Sequence, residues 1–166
     1  MSLLWSYFWP CFAAGLLVGG PAGTIAFRRR ARRNMALAIG LGVALALTAL
    51  WHGPMGAAQR FTNQVERDAR AVLDHYEMTR VAAHLHRGPL SRHLILAGPA
   101  DDFQTTELVR LMSELPGVSS AQWTRAPTGV PLLVEALVVA SAGFIFGLVL
   151  AYLNELRRSH NAQWKW

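Results

Sequence analysis

The chain has 166 residues, of which 52% are hydrophobic and only 16% charged; this excess of apolar over charged residues, relative to soluble domains, points to lipid as part of its surroundings. A formal charge of +6 suits nucleic acid, an anionic membrane surface or topology signals, and the position of the charges excludes the first. Residues 56–129 hold eight arginines and eight acids, so the excess cations flank apolar runs instead of gathering on a foldable stretch, and no nucleic-acid partner is expected.

Leu3–Phe27 is free of charge, and as a helix its 25 residues would extend about 37 Å, enough to cross a hydrocarbon core of about 30 Å with some tilt. Trp5, Tyr7, Phe8 and Trp9 suit an interfacial aromatic belt, and the absence of a basic n-region argues against a cleaved signal. Cys11 is the single cysteine, which leaves no intrachain disulfide and no thiol-based zinc site. Gly15, Gly19 and Gly23 recur every fourth residue, a spacing that lets helix backbones approach closely, within this chain or against a partner. The run Gly19-Gly20-Pro21-Ala22-Gly23 lacks the Lys-Ser/Thr ending of a phosphate loop.

Arg28, Arg29, Arg30, Arg32 and Arg33 then fill a short loop before a second apolar run, Met35–Trp51, which His52–Met55 complete at the interface. The third run, Pro131–Leu153, carries one acid, Glu135, and two further spaced glycines, Gly143 and Gly147. Arg157, Arg158 and Lys165 follow it, interleaved with Trp164 and Trp166. Basic residues beside membrane spans stay cytoplasmic. Three crossings that respect both clusters place the N-terminus outside, the arginine loop inside, residues 56–129 outside and the tail from Asn154 inside. In a bacterium this describes a multi-pass inner-membrane protein with a periplasmic domain, and both basic clusters would meet anionic lipid of the inner leaflet.

The external segment reads as a small α+β domain. Phe61, Val65, Ala69, Val72, Leu73 and Tyr76 recur at helical spacing. Val81, Ala83 and Leu85 alternate with Ala82, His84 and His86, and Gly88-Pro89 turns the chain into a second strand over His93–Ala97. Asp101, with Gln104 three residues on, forms a capping-box pattern ahead of the stripe Leu108, Leu111, Met112 and Leu115; Pro116-Gly117 ends that helix. Val118–Thr124, with Val118, Ala121 and Trp123, makes a third strand before the proline-bearing linker Ala126–Pro131.

This helix-strand-strand-helix-strand order, together with Leu94-Ile95-Leu96-Ala97-Gly98-Pro99-Ala100-Asp101-Asp102 and Leu115-Pro116-Gly117-Val118, resembles the BON domain of bacterial envelope proteins over Phe61–Trp123. In that family a strand ending in a small residue and glycine leads into a helix, and a glycine-valine pair starts the last strand, the places of Gly98 and Gly117-Val118 here. The resemblance implies a periplasmic, non-catalytic domain that contacts phospholipid or other envelope components. Only one copy is present where many members carry two, and the wall-binding segment that follows BON domains in some relatives has no counterpart. Leu115-Pro116-Gly117-Val118 through Trp123 is also similar to the end of the extracellular domain of the cell-division protein FtsX, a family with four membrane helices in a different order around its domain, which makes that resemblance the weaker.

Against these expectations stand few candidate sites. His84 and His86 share a strand face that His93 could approach, a permissive pattern for a metal, but a solvent-facing sheet surface that happens to hold histidines is the stronger reading. Glu135, about 6 Å into the third run, is an intramembrane acid that either supports a proton path or partner pairing, or reaches back to the interface. The chain contains no nucleophile elbow, HExxH, paired-cysteine or Walker pattern; neither an enzyme nor a cofactor is expected. The sequence therefore predicts a three-helix membrane protein displaying a lipid- or protein-binding domain, with an accessory subunit of a larger membrane complex, a homo-oligomer, or an oligomeric transport component as alternatives.

Overall fold

The computed structural model describes residues 3–123 and 129–163. The expected elements within 124–128 and the tail residues Trp164, Lys165 and Trp166 lie outside the described residues, as does the side chain of Arg30. Five α-helices and three strands follow in the order α1 (Leu3–Arg28), α2 (Arg33–His52), α3 (Ala57–His75), β1 (Ala82–Arg87), β2 (Leu90–Ala97), α4 (Asp102–Ser113), β3 (Ser120–Trp123) and α5 (Leu132–Gln163), with a 3-10 turn at Arg30–Arg32. Three of the helices, α1, α2 and α5, are long and apolar enough to cross a membrane. The chain divides into two compact units, one formed by Met1–Tyr7 with Gly56–Glu135, the other by Phe8–Met55 with Ala136–Trp166.

In the first unit, the alternation of the sequence becomes a three-stranded sheet in the order β1-β2-β3. β1 and β2 form an antiparallel hairpin around Gly88-Pro89, and β3 runs parallel to β2 after the α4 crossover. Strand alternation sends Leu85, Leu94, Leu96 and Ala121 to one face, where they are buried with Phe61, Val65, Ala69 and Leu73 of α3 and Leu108 and Met112 of α4. The Asp101 box forms as the sequence predicts: its carboxylate accepts from the Gln104 backbone N–H (2.7 Å), and the Asp101 N–H donates to the Gln104 side chain (3.2 Å). Tyr76, expected on the apolar stripe, is exposed instead, because α3 stops at His75 and the chain turns before another apolar position can face the sheet.

Gly98 and Gly117, the two glycines of the BON-like pattern, have φ of +146° and +103°, values that L side chains avoid. A side chain at Gly98 would also strike the Arg80 carbonyl, and one at Gly117 would press on Val65 and Leu3. The unit is larger than the expected 56–129, since Leu3 packs at Gly117, the rings of Tyr7 and Phe61 lie 5.4 Å apart, and Leu132 is buried. Pro131 pairs with Ser91 and accepts from Val134 N–H (2.9 Å), so the first turn of α5 belongs with the sheet.

In the second unit, the spaced glycines bring α1 against α5. A β-carbon at Gly15 would lie 2.0 Å from the Ala140 carbonyl oxygen, one at Gly19 2.4 Å from that of Phe144, one at Gly143 2.2 Å from that of Phe12 and one at Gly147 2.7 Å from that of Leu16; Gly23 faces Ala151 and Leu148 in the same way. Of the two uses that the spacing allows, packing within the chain is the one seen here, by backbone contact at Gly15, Gly19, Gly143 and Gly147 and by side-chain contact at Gly23. α2 adds Gly40, Ala44 and Thr48 to the packing, with Ala22, Ala44 and Phe144 at its centre. α5 continues as helix to Gln163 past the expected end at Leu153, because no helix-breaking residue interrupts Asn154–Gln163.

Gly15→Ala inserts a methyl group into a backbone contact that cannot yield, and destabilisation of about 1–3 kcal/mol is expected in reversible unfolding of the detergent-solubilised chain. Gly42→Ala, where the new β-carbon meets nothing within 4 Å, is expected to be neutral or stabilising by up to about 1 kcal/mol. Equal effects of the two would refute the seam.

Candidate functional site

The sheet exposes one face, and side chains cap backbone groups at both of its edges. Register places Ala82 beside Ala97, His84 beside Ile95, Ile95 beside Gln122, and His93 beside Ser120, all on the face opposite the buried leucines. His84 and Gln122 are exposed and Ile95 is half-buried. Along the free side of β1, the Leu85 N–H donates to Glu66 (3.2 Å), the Val81 carbonyl accepts from Arg70 (3.1 Å), and Arg87 grips both oxygens of Glu66 at 3.0 Å. Along β3, the Ala121 N–H donates to the Ser113 hydroxyl (3.2 Å). Side chains of α3 and α4 thus occupy backbone groups to which another strand would bind, a recognised way of blunting sheet edges. What remains for recognition is the face, apolar at Ile95 and the two alanines and polar at His84 and Gln122.

The three histidines do not converge. His86 donates from Nδ1 to the Pro89 carbonyl (3.1 Å) within the hairpin turn, and His93 is hydrogen-bonded to Ser120 with its imidazole lying where a Gly129 side chain would be. His84 alone faces solvent on the open surface. Among the described residues no group of three or more His, Cys, Asp or Glu lies close enough to hold a metal ion, His84, His86 and His93 included, and the hairpin's register shifts between Leu85 and Arg87.

Glu135 has a partner that sequence inspection missed. Its carboxylate lies 3.0 Å from Arg92, with side-chain exposures of 27% and 21%. Arg92 also donates to the Gly117 carbonyl (3.1 Å), and its own carbonyl accepts from the N–H (2.8 Å) and hydroxyl (3.1 Å) of Ser119. One arginine of β2 therefore ties together the turn before β3 and the first turn of α5. The charge of Glu135 is thus answered within the α+β unit. The two residues are 43 positions apart, and no local pattern marks such a pairing.

In the helical unit, Arg28 pairs with Glu155 at 3.3 Å, and Phe27 meets Tyr152 edge-on at 5.6 Å. These contacts bring the loop bearing Arg28, Arg29, Arg30, Arg32 and Arg33 to the same end of the helices as Arg157 and Arg158, which are exposed on α5. Comparison with protein-family models, with curated proteins and with solved structures finds no match.

Arg92→Ala leaves a largely shielded carboxylate and a backbone carbonyl without their cation and is expected to cost about 1–3 kcal/mol in unfolding of the full chain. Glu135→Gln is expected to cost less, and the double variant less than the sum; strict additivity in this double-mutant cycle would show that the pair does not interact.

Proposed function

We propose that the chain is a non-enzymatic, multi-pass protein of a bacterial inner membrane that displays a BON-like domain on the periplasmic side as a lipid- or protein-binding module. The observation that carries this reading is the open face of the sheet, which offers apolar area at Ile95 and hydrogen-bonding groups at His84 and Gln122, while α3 and α4 side chains cap backbone groups at its edges. The helix-strand-strand-helix-strand order and the constrained Gly98 and Gly117 support the BON-like assignment.

The topology rests on the arginines. Two cationic clusters at one end of three apolar helices are both retained in the cytoplasm when that end faces inward. The N-terminus and the segment between α2 and α5 then emerge in the periplasm, and the C-terminus stays inside. An accessory subunit of a larger complex is the second reading. It is favoured by exposed apolar residues of α2 such as Leu41, Leu47 and Leu50. The transport alternative loses its main support once Glu135 is paired with Arg92.

In a Cys11→Ala background, Gly88→Cys is expected to react with a membrane-impermeant maleimide in intact spheroplasts, and Asn154→Cys only after permeabilisation; the reverse pattern would overturn the topology. A photo-crosslinking residue at Gln122 is expected to capture a lipid or a membrane protein in living cells, with the adduct lost on Ile95→Asp. A protein adduct selects the subunit reading, a lipid adduct the envelope-lipid reading, and no adduct rejects the open face as the binding surface.

A further inference from the structure

We infer that the helical unit carries a site for one anionic phospholipid, with an acyl chain in the groove between α1 and α2 and the phosphate on Arg32. The groove has a volume of about 510 Å³ and is walled by Leu17, Pro21 and Ile25 of α1 and by Ile39 and Val43 of α2, with Arg32 at one end. Its floor is set by close packing: a β-carbon at Gly40 would lie 2.7 Å from that of Ala22, so the helices touch there while the larger side chains on either side stand apart. Leu17 and Ile25 lie eight positions apart, about 12 Å along the helix. The groove is thus lined by apolar side chains, with Arg32 as its one charged residue. That polarity matches an amphiphile whose tail is hydrocarbon and whose head is an anion.

The charge of the groove's end is not answered from within. Residues 28–33 and 154–163 contain seven arginines and one acid, Glu155, and that acid is engaged by Arg28. Arg29, Arg32 and Arg33 make no ion pair among the described residues. A guanidinium forks two N–H donors toward a phosphate in the geometry that binds it best, and basic pockets between membrane helices are suited to anionic headgroups. An apolar helix from another protein would fill the groove equally well but would leave Arg32 without an anion, so the lipid accounts for both halves of the site. The inference depends on the three helices lying in a bilayer, which the maleimide experiment tests separately, and it is independent of what the sheet face binds.

Native mass spectrometry of the full chain in detergent, titrated with phosphatidylglycerol or phosphatidylcholine of identical acyl chains, tests it. One phosphatidylglycerol is expected to bind per chain, about tenfold more tightly than phosphatidylcholine, and Arg32→Gln is expected to remove that preference, the loss of one charge-assisted contact. Arg157→Gln changes the net charge equally at the same end and is expected to alter affinity less than about twofold, if one charge-assisted contact at Arg32 makes the difference. Val43→Trp, which fills the groove, is expected to weaken both lipids. Equal affinity for the two lipids, or equal losses in Arg32→Gln and Arg157→Gln, overturns the site in favour of diffuse attraction to charge, and this comparison decides even if the tryptophan variant fails to fold.

Discussion

Everything in the helical unit depends on the backbone-to-backbone approach of α1 and α5. In hydrocarbon, burying one leucine against another gains little over leaving it in lipid, so helices hold together through close van der Waals packing and polar contacts. Gly15, Gly19, Gly143 and Gly147 supply that closeness by removing the atoms that would keep two backbones apart. The consequence reaches beyond packing. Because these glycines are spent inside the chain, the surfaces left for lipids or partners are those that the seam does not use: the outward side of α2 and the groove that α2 makes with α1.

The α+β unit solves a different problem, since its polar backbone rather than its apolar surface is what needs to be satisfied. A three-stranded sheet has two edges, and each presents free N–H and carbonyl groups. Glu66, Arg70 and Ser113 answer those groups at Leu85, Val81 and Ala121, while their parent helices bury the opposite face of the sheet. Arg92 extends the same logic to the chain's exit, where a carbonyl, a hydroxyl and a carboxylate converge on one residue. The outcome is a sheet whose face is open while several of its edge groups are already satisfied.

Periodicity made much of this visible in the sequence. The three apolar helices, the hairpin around Gly88-Pro89 and the Asp101 capping box each follow from spacing within a few residues, and local rules of that kind do not require knowledge of the rest of the fold. The direction of β3 was not legible in the same way, because parallel pairing with β2 depends on how the α4 crossover lies. Nor was the pairing of Arg92 with Glu135, two charges 43 positions apart in the chain. The histidines show the converse error: two residues apart on a strand suggests a shared face, but a register shift and a neighbouring Ser120 gave each ring its own surroundings. The spaced glycines were recognised as contact points, yet their spacing is the same whether the partner is internal or external.

The distribution of charge bears on how the open face could work. Residues 56–129 are formally neutral, and four of their arginines are answered by an acid within the α+β unit, Arg70 by Asp74, Arg87 by Glu66, Arg92 by Glu135 and Arg110 by Glu107. Such a surface projects little field and gives no long-range steering. Recognition there must rely on short-range contact, and a face of about seven side chains falls well below the roughly 800 Å² per partner of a stable protein interface. Confinement resolves this tension on the proposed reading. A ligand held at the same membrane meets the face at a high effective concentration, so that modest contact area suffices without a charged lure.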